Sequence, residues 1–111
     1  MISVKKLLYK VVGRVGELRE MPAVSMQKSA SITAGNAGTV TIDFPSEYSG
    51  GLYRCLAINT LSLSGTNSDY LVISGFTISN TNKTISIKVR SLASSSTINY
   101  TVNVYALFVK Q

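Results

Sequence analysis

From Ala23 onward, apolar side chains return at every second position, and turn-forming residues break that rhythm at intervals of about ten. Successive side chains of an extended strand point to opposite sides, whereas a helix brings a face round only every three or four residues. A chain with this pattern folds into antiparallel strands joined by short connections. Val24, Met26, Ala30 and Ile32 share one side of "AVSMQKSASIT", and Val40, Ile42 and Phe44 share one side of "TVTIDF". In "TISIKVRSL", Ile85, Ile87 and Val89 point inward while Ser86, Lys88 and Arg90 point outward. "LYRCLAINT" sets Leu52, Leu56 and Ile58 on one face with Arg54 among them, and Tyr53, Cys55 and Ala57 on the other, so both faces read as partly covered. "YLVISGFTIS" is a further strand, and "AGNAG", "PSEYSGG", "LSLSGTNSD", "NTNK" and "ASSS" read as connections.

The expectation is therefore an all-β chain: one antiparallel β-sandwich of six or seven strands over residues 23 to 111, preceded by an arm over residues 1 to 22. Val, Ile and Thr make up 30 of the 111 residues, and their branched side chains favour a pleated surface over a helix. A chain of this length buries enough surface for one core and is expected to form one domain. In the arm, Val4, Leu8, Val11, Val15 and Leu18 fall at alternating spacings of four and three, the seam of a coiled coil. Gly13 and Gly16 oppose a helix there, and "KLLYKVV" reads equally as a strand; Pro22 ends whichever forms. This arm is expected either to oligomerise or anchor the protein, or to pack on the domain as its first element.

The closing stretch "TINYTVNVYALFVKQ" sharpens the functional question. Ile98, Tyr100, Val102, Val104, Ala106 and Phe108 form one wholly apolar face. The opposite face starts polar with Asn99, Thr101 and Asn103 and turns apolar at Tyr105, Leu107 and Val109. Those three side chains are expected to meet either another copy of the chain or a second layer of its own fold.

Catalysis is not expected. There is no histidine, and the acidic residues are Glu17, Glu20, Asp43, Glu47 and Asp69 alone. Asp43 and Glu47 flank "FP" and read as solvated carboxylates rather than a reacting pair or a calcium site. With one cysteine, Cys55, no intramolecular disulfide and no Cys/His metal site can form, so no cofactor or metal is expected. Cys55 lies in a strand-like run and reads as a small buried apolar group.

The net charge of +6 sits mostly at the start: residues 1 to 28 hold six basic and two acidic side chains. Arg54, Lys83, Lys88, Arg90 and Lys110 are scattered over several strands, so no nucleic-acid track is expected. No apolar run reaches the length of a membrane span, and "MISVKKLLYKVVGRVGELREM" lacks the cleavage site of a signal peptide. The triplets at Asn82 and Asn99 fit the glycosylation acceptor pattern, which has meaning only in a eukaryotic secretory pathway. Ser, Thr and Asn number 33 against 16 charged residues, a surface suited to crowded assemblies or to sugars. Tyr48, Asn67, Asp69 and Tyr70, in the polar loops, have the residue types of a carbohydrate subsite: rings for a sugar's C–H face, amide and carboxylate for its hydroxyls.

The succession "GTVTIDFPSEYSGGLYRCLAI", "YLVISGFTISNTNKTISIKV" and "TINYTVNVYALFVK" resembles the small C-terminal head domains of phage tail fibres, related in pattern to the H-type lectin domain. Phe44–Pro45 fills the family's aromatic–Pro pair, Ile78 with Ile85 and Ile87 its central strand pair, and Tyr105–Ala106 the closing strand, with Tyr105 where the family has Trp. The resemblance covers residues 38 to 109 and implies a compact sandwich that forms homotrimers on the outside of a virion. Its expected partners are copies of itself, other virion proteins met through the basic arm, and a host surface glycan; a lectin-like carbohydrate-binding module is the alternative. A chain this short, starting at Met1 with no shaft, points to capsid decoration or a head fibre as much as to a tail fibre.

Overall fold

The computed structural model describes residues 21 to 111, which form six strands: β1 (Ala23–Thr33), β2 (Ala37–Asp43), β3 (Tyr53–Ser64), β4 (Leu71–Ser79), β5 (Thr84–Ser91) and β6 (Thr97–Lys110). They build two antiparallel three-stranded sheets, β1-β6-β3 and β2-β5-β4, packed face to face. The all-β sandwich read from the alternation is thus the fold. The arm residues Val4, Leu8, Val11, Val15 and Leu18 lie outside the described residues.

The longest strand is the keystone. β6 lies between β1 and β3, with an unbroken register against β1 from Ala23 opposite Leu107 to Thr33 opposite Thr97. Its even-numbered residues from Ile98 to Phe108 are all buried, and Val102, Ala106 and Phe108 have no solvent contact. From the facing sheet, Val40, Ile42, Ile85, Ile87 and Val89 complete the core. At one end the Phe44 ring meets Phe108 edge-on, with centroids 4.9 Å apart. Aromatic pairs prefer that geometry because the positive ring edge faces the negative ring face.

Connections follow the turn chemistry. Gly35 takes a positive φ of 74° between β1 and β2, where the chain crosses from one sheet to the other. The β4–β5 hairpin closes through Asn80 to Lys83, and the Lys83 carbonyl accepts from Phe44 N–H at 2.9 Å, tying it to the end of β2. In the β3–β4 turn Gly65 has a φ of 123°, and a Cβ there would lie 2.9 Å from the Asn99 carbonyl oxygen. Glycine alone lets that turn sit on β6.

Two sequence expectations need correction at β3. Leu52 precedes the strand and is exposed, and Leu56 is exposed as well, so they do not share a buried face with Ile58. The register against β6 is broken between Cys55 and Ala57 and again between Ile58 and Thr60. Each irregularity inserts an extra residue and shifts the alternation by one, so Cys55, Ile58, Leu61 and Leu63 all pair with inward-facing residues of β6. "LSLSGTNSD" is likewise not wholly a connection, because Leu61 to Ser64 continue β3.

Candidate functional site

The polar loops separate into two ends of the molecule. At one end the β3–β4 turn and the β5–β6 connection meet, joined by Leu92 N–H donating to the Tyr70 carbonyl at 2.9 Å. Asn67, Tyr70, Ala93, Ser94, Ser95, Ser96 and Ile98 line a cleft of about 260 Å³ there. Asn67 adopts left-handed backbone geometry, φ 66°, one of the few non-glycine residues able to do so cheaply. Tyr70 is about half exposed and closes a one-turn 3₁₀ helix, Ser68–Tyr70. An exposed ring beside an amide and three hydroxyls can hold a small polyhydroxylated ligand by stacking and hydrogen bonding. Asp69, on the same turn, instead lines a depression with Leu63, Ser68, Leu71, Val72 and Ile73.

Tyr48 belongs to the other end. It is half-buried, its ring centroid 4.9 Å from Tyr53 and 5.0 Å from Phe108, so it extends the aromatic cluster. Ile98 borders the Asn67–Tyr70 cleft and Phe108 touches Tyr48; the ten steps along β6 from one to the other span about 33 Å of extended strand. The structure brings Asn67 and Tyr70 together with the serine loop and does not bring Tyr48 to them. Asp43 and Glu47 are both exposed, and among the described residues no three His, Cys, Asp or Glu side chains come together.

The outer face of the β1-β6-β3 sheet is a neutral ladder. The Ser29 and Thr101 hydroxyls are 3.0 Å apart, Ser31 Oγ donates to Asn99 Oδ1 at 2.6 Å, and Asn103 Nδ2 donates to Ser64 Oγ at 3.0 Å. Toward the end of β6 this face becomes apolar: Tyr105 is 46% exposed and Leu107 is half-buried between Ala23 of β1 and Ala57 of β3. Val109, opposite Arg54, is only 8% exposed in the single chain, so it offers little surface to a partner.

Three features were missed in the sequence. Asn80, in the β4–β5 turn, accepts from Cys55 N–H through Oδ1 at 2.6 Å and donates through Nδ2 to the Cys55 carbonyl at 3.0 Å, so one side chain acts as a short piece of neighbouring strand. Lys28 occupies an inward position of β1, opposite Val102, and its Nζ reaches the Thr41 carbonyl of β2 at 2.8 Å. Leu56 and Phe76 are exposed apolar groups along one side of the sandwich. The signal for the last was an uncharged stretch in each of β3 and β4, and for Lys28 its place between Met26 and Ala30 in the alternation of β1; for Asn80 the sequence holds none.

Burial raises the Cys55 thiol above its ordinary pKa, and likewise the Tyr100 phenol. Both fit the core and neither is poised to react at neutral pH. Among the described residues no helix is long and apolar enough to cross a membrane. Compared with known protein families, curated proteins and solved structures, the chain matches none.

Proposed function

We propose that the protein is an exterior structural subunit of a phage virion, a fibre, spike or capsid-decoration protein that assembles with copies of itself. The observation that carries this reading is the outer face of the β1-β6-β3 sheet: neutral, laddered with hydroxyls and amides, and ending in Tyr105 and Leu107, which the protomer leaves partly uncovered. Such a face suits close packing of subunits, because covering its hydroxyl and amide ladder desolvates no charge and Arg54, opposite Val109, sits only at its end. The virion itself comes from the family resemblance, and the sandwich fold agrees with what that resemblance implies. A homotrimer around β6 would bury Tyr105 and Leu107 at its axis, with the basic residues of the arm facing other virion proteins.

The test is the mass in solution at micromolar concentration. The wild-type chain is expected to be a trimer or a multiple of one, and Leu107→Asp to lose the threefold species while its circular dichroism stays that of a folded sheet protein. A wild type that is monomeric throughout refutes assembly through this face, and absence of the protein from purified particles refutes the virion role.

A second reading, a lectin-like module, is favoured by the cleft that holds Asn67 and Tyr70 beside Ser94 to Ser96. A glycan array decides it: specific binding lost in Tyr70→Ala supports the lectin, and no binding at all removes it.

A further inference from the structure

The two open sides of the sandwich are built differently. On the β1/β2 side the inward residues Val24, Met26, Ile32, Val40 and Ile42 are all buried. Lys28 crosses from an inward position of β1 to the Thr41 carbonyl of β2, placing a charge where a foreign strand would have to pack. Inward-pointing charges are a device by which natural sheets prevent edge association.

Among the described residues the β3/β4 side has no such guard. No charged residue occurs from Cys55 to Ser68 or from Tyr70 to Asn82. Of the inward residues of these strands, Cys55 and Leu71 at the ends are buried, whereas Ile58, Leu61 and Leu63 from β3 with Ile73 and Ile78 from β4 are only partly buried. Phe76 pairs with Ile87, which is fully buried, so Phe76 lies on the inner side of its sheet and is nevertheless 51% exposed. Leu56, at the first irregularity of β3, is 52% exposed. The core therefore runs out to solvent along this seam, an arrangement monomeric proteins seldom leave uncovered.

We propose that the β3/β4 seam is a self-association surface, covered by the same seam of a second copy of this chain. It is distinct from the Tyr105–Leu107 face and stands whether or not the protein belongs to a virion. The charge distribution permits a like partner. Residues 29 to 111 hold five basic and three acidic side chains, so two sandwiches repel only weakly, and across the uncharged strip they meet without desolvating a charge. The area suffices: a strip about 30 Å long, from nine residues of β4, and about 20 Å wide, from two sheets 10 Å apart with their side chains, gives about 600 Å² per subunit, at the lower end of specific interfaces. A twofold axis makes such a patch complementary to itself. The register breaks in β3 and between Ile73 and Gly75 of β4 interrupt both free edges, so contact is through side chains interleaving over the seam and not by continuation of a sheet.

The test compares the full-length wild type with Phe76→Asp, Leu56→Asp and Leu107→Asp by sedimentation across the micromolar range, folding being checked by circular dichroism. Self-association weakened at least about a hundredfold by Phe76→Asp and by Leu56→Asp, and retained at this contact in Leu107→Asp, is the expected result. If Phe76→Asp does not fold, Leu56→Asp decides, because its side chain already points to water. A monomeric wild type, or association abolished by Leu107→Asp and untouched by the seam variants, overturns the proposal. So does a monomer whose β3 and β4 amides resist hydrogen exchange until Leu8→Asp is introduced, which assigns the seam to the chain's own first twenty residues.

Discussion

Replacing Asn80 by Ala is expected to destabilise the protein far more than a hairpin-turn substitution should. The Asn80 side chain satisfies both backbone groups of Cys55, at 2.6 Å and 3.0 Å, and in doing so ties the end of β4 in one sheet to β3 in the other. Alanine leaves a donor and an acceptor with no protein partner in a partly buried place. Each such loss costs about 1 to 3 kcal/mol when water cannot reach the group, and Asn80 is half-buried, so a total of about 2 to 4 kcal/mol is expected. At roughly 5 °C per kcal/mol for a domain of this size, the melting temperature falls by about 10 to 20 °C. Urea unfolding should show a lower midpoint at unchanged slope, since the folded core is otherwise intact. Asn80→Asp keeps the acceptor for Cys55 N–H and loses the donor to the carbonyl, so its stability should lie between the two. A loss below about 0.5 kcal/mol in Asn80→Ala would show that solvent replaces the amide without penalty and refute the reasoning.

Phe108→Ala removes a fully buried ring that touches Phe44 and Tyr48, and should cost about 3 to 5 kcal/mol by chemical denaturation, a large share of the about 5 to 15 kcal/mol that holds an ordinary domain folded. Gly65→Ala combines a φ of 123° with a Cβ 2.9 Å from the Asn99 oxygen; a loss of about 1 to 3 kcal/mol is expected, and a neutral result would mean the turn does not rest on β6 as described. Stability should also fall in alkali. Cys55 and Tyr100 hold their protons more tightly in the folded state because burial raises both above their ordinary values of 9.0 and 10.0. Their contribution is therefore complete below about pH 9 and lost as pH rises through that range and beyond. Melting curves of Tyr100→Phe combined with Cys55→Ala should lose most of that alkaline slope.

Most of the architecture was legible because β1, β2, β5 and β6 keep strict alternation, so Val24, Val40, Ile87 and Val102 announce their face by position alone. β3 was misread at Leu56 because a one-residue insertion reverses every later side chain, and nothing in "RCLAINT" marks where the insertion falls. The candidate cleft was half legible. Asn67, Tyr70 and the serine loop do converge, because both connections leave the same end of the sandwich. Tyr48 has the same composition around it and lies at the far end, packed on Phe108, since residue type says nothing about which end of a strand a loop occupies. Lys28 was half legible: alternation puts it on the face of Val24, Met26, Ala30 and Ile32, but its reach to the Thr41 carbonyl of the other sheet shows only in the structure.

The central place of β6 has a consequence for biosynthesis. As the chain leaves the ribosome, β1 is made long before the strand it must pair with, because Ala23 waits for Leu107 and β3 waits for the same late partner. Meanwhile β2, β4 and β5 can already zip together, presenting Val40, Ile87 and Val89 as a bare oily sheet with nothing to lie against. Completion is thus a single late event in which one ribbon slots between two waiting ones, and a nascent chain stalled before Thr97 is a sticky half-shell rather than a smaller version of the protein.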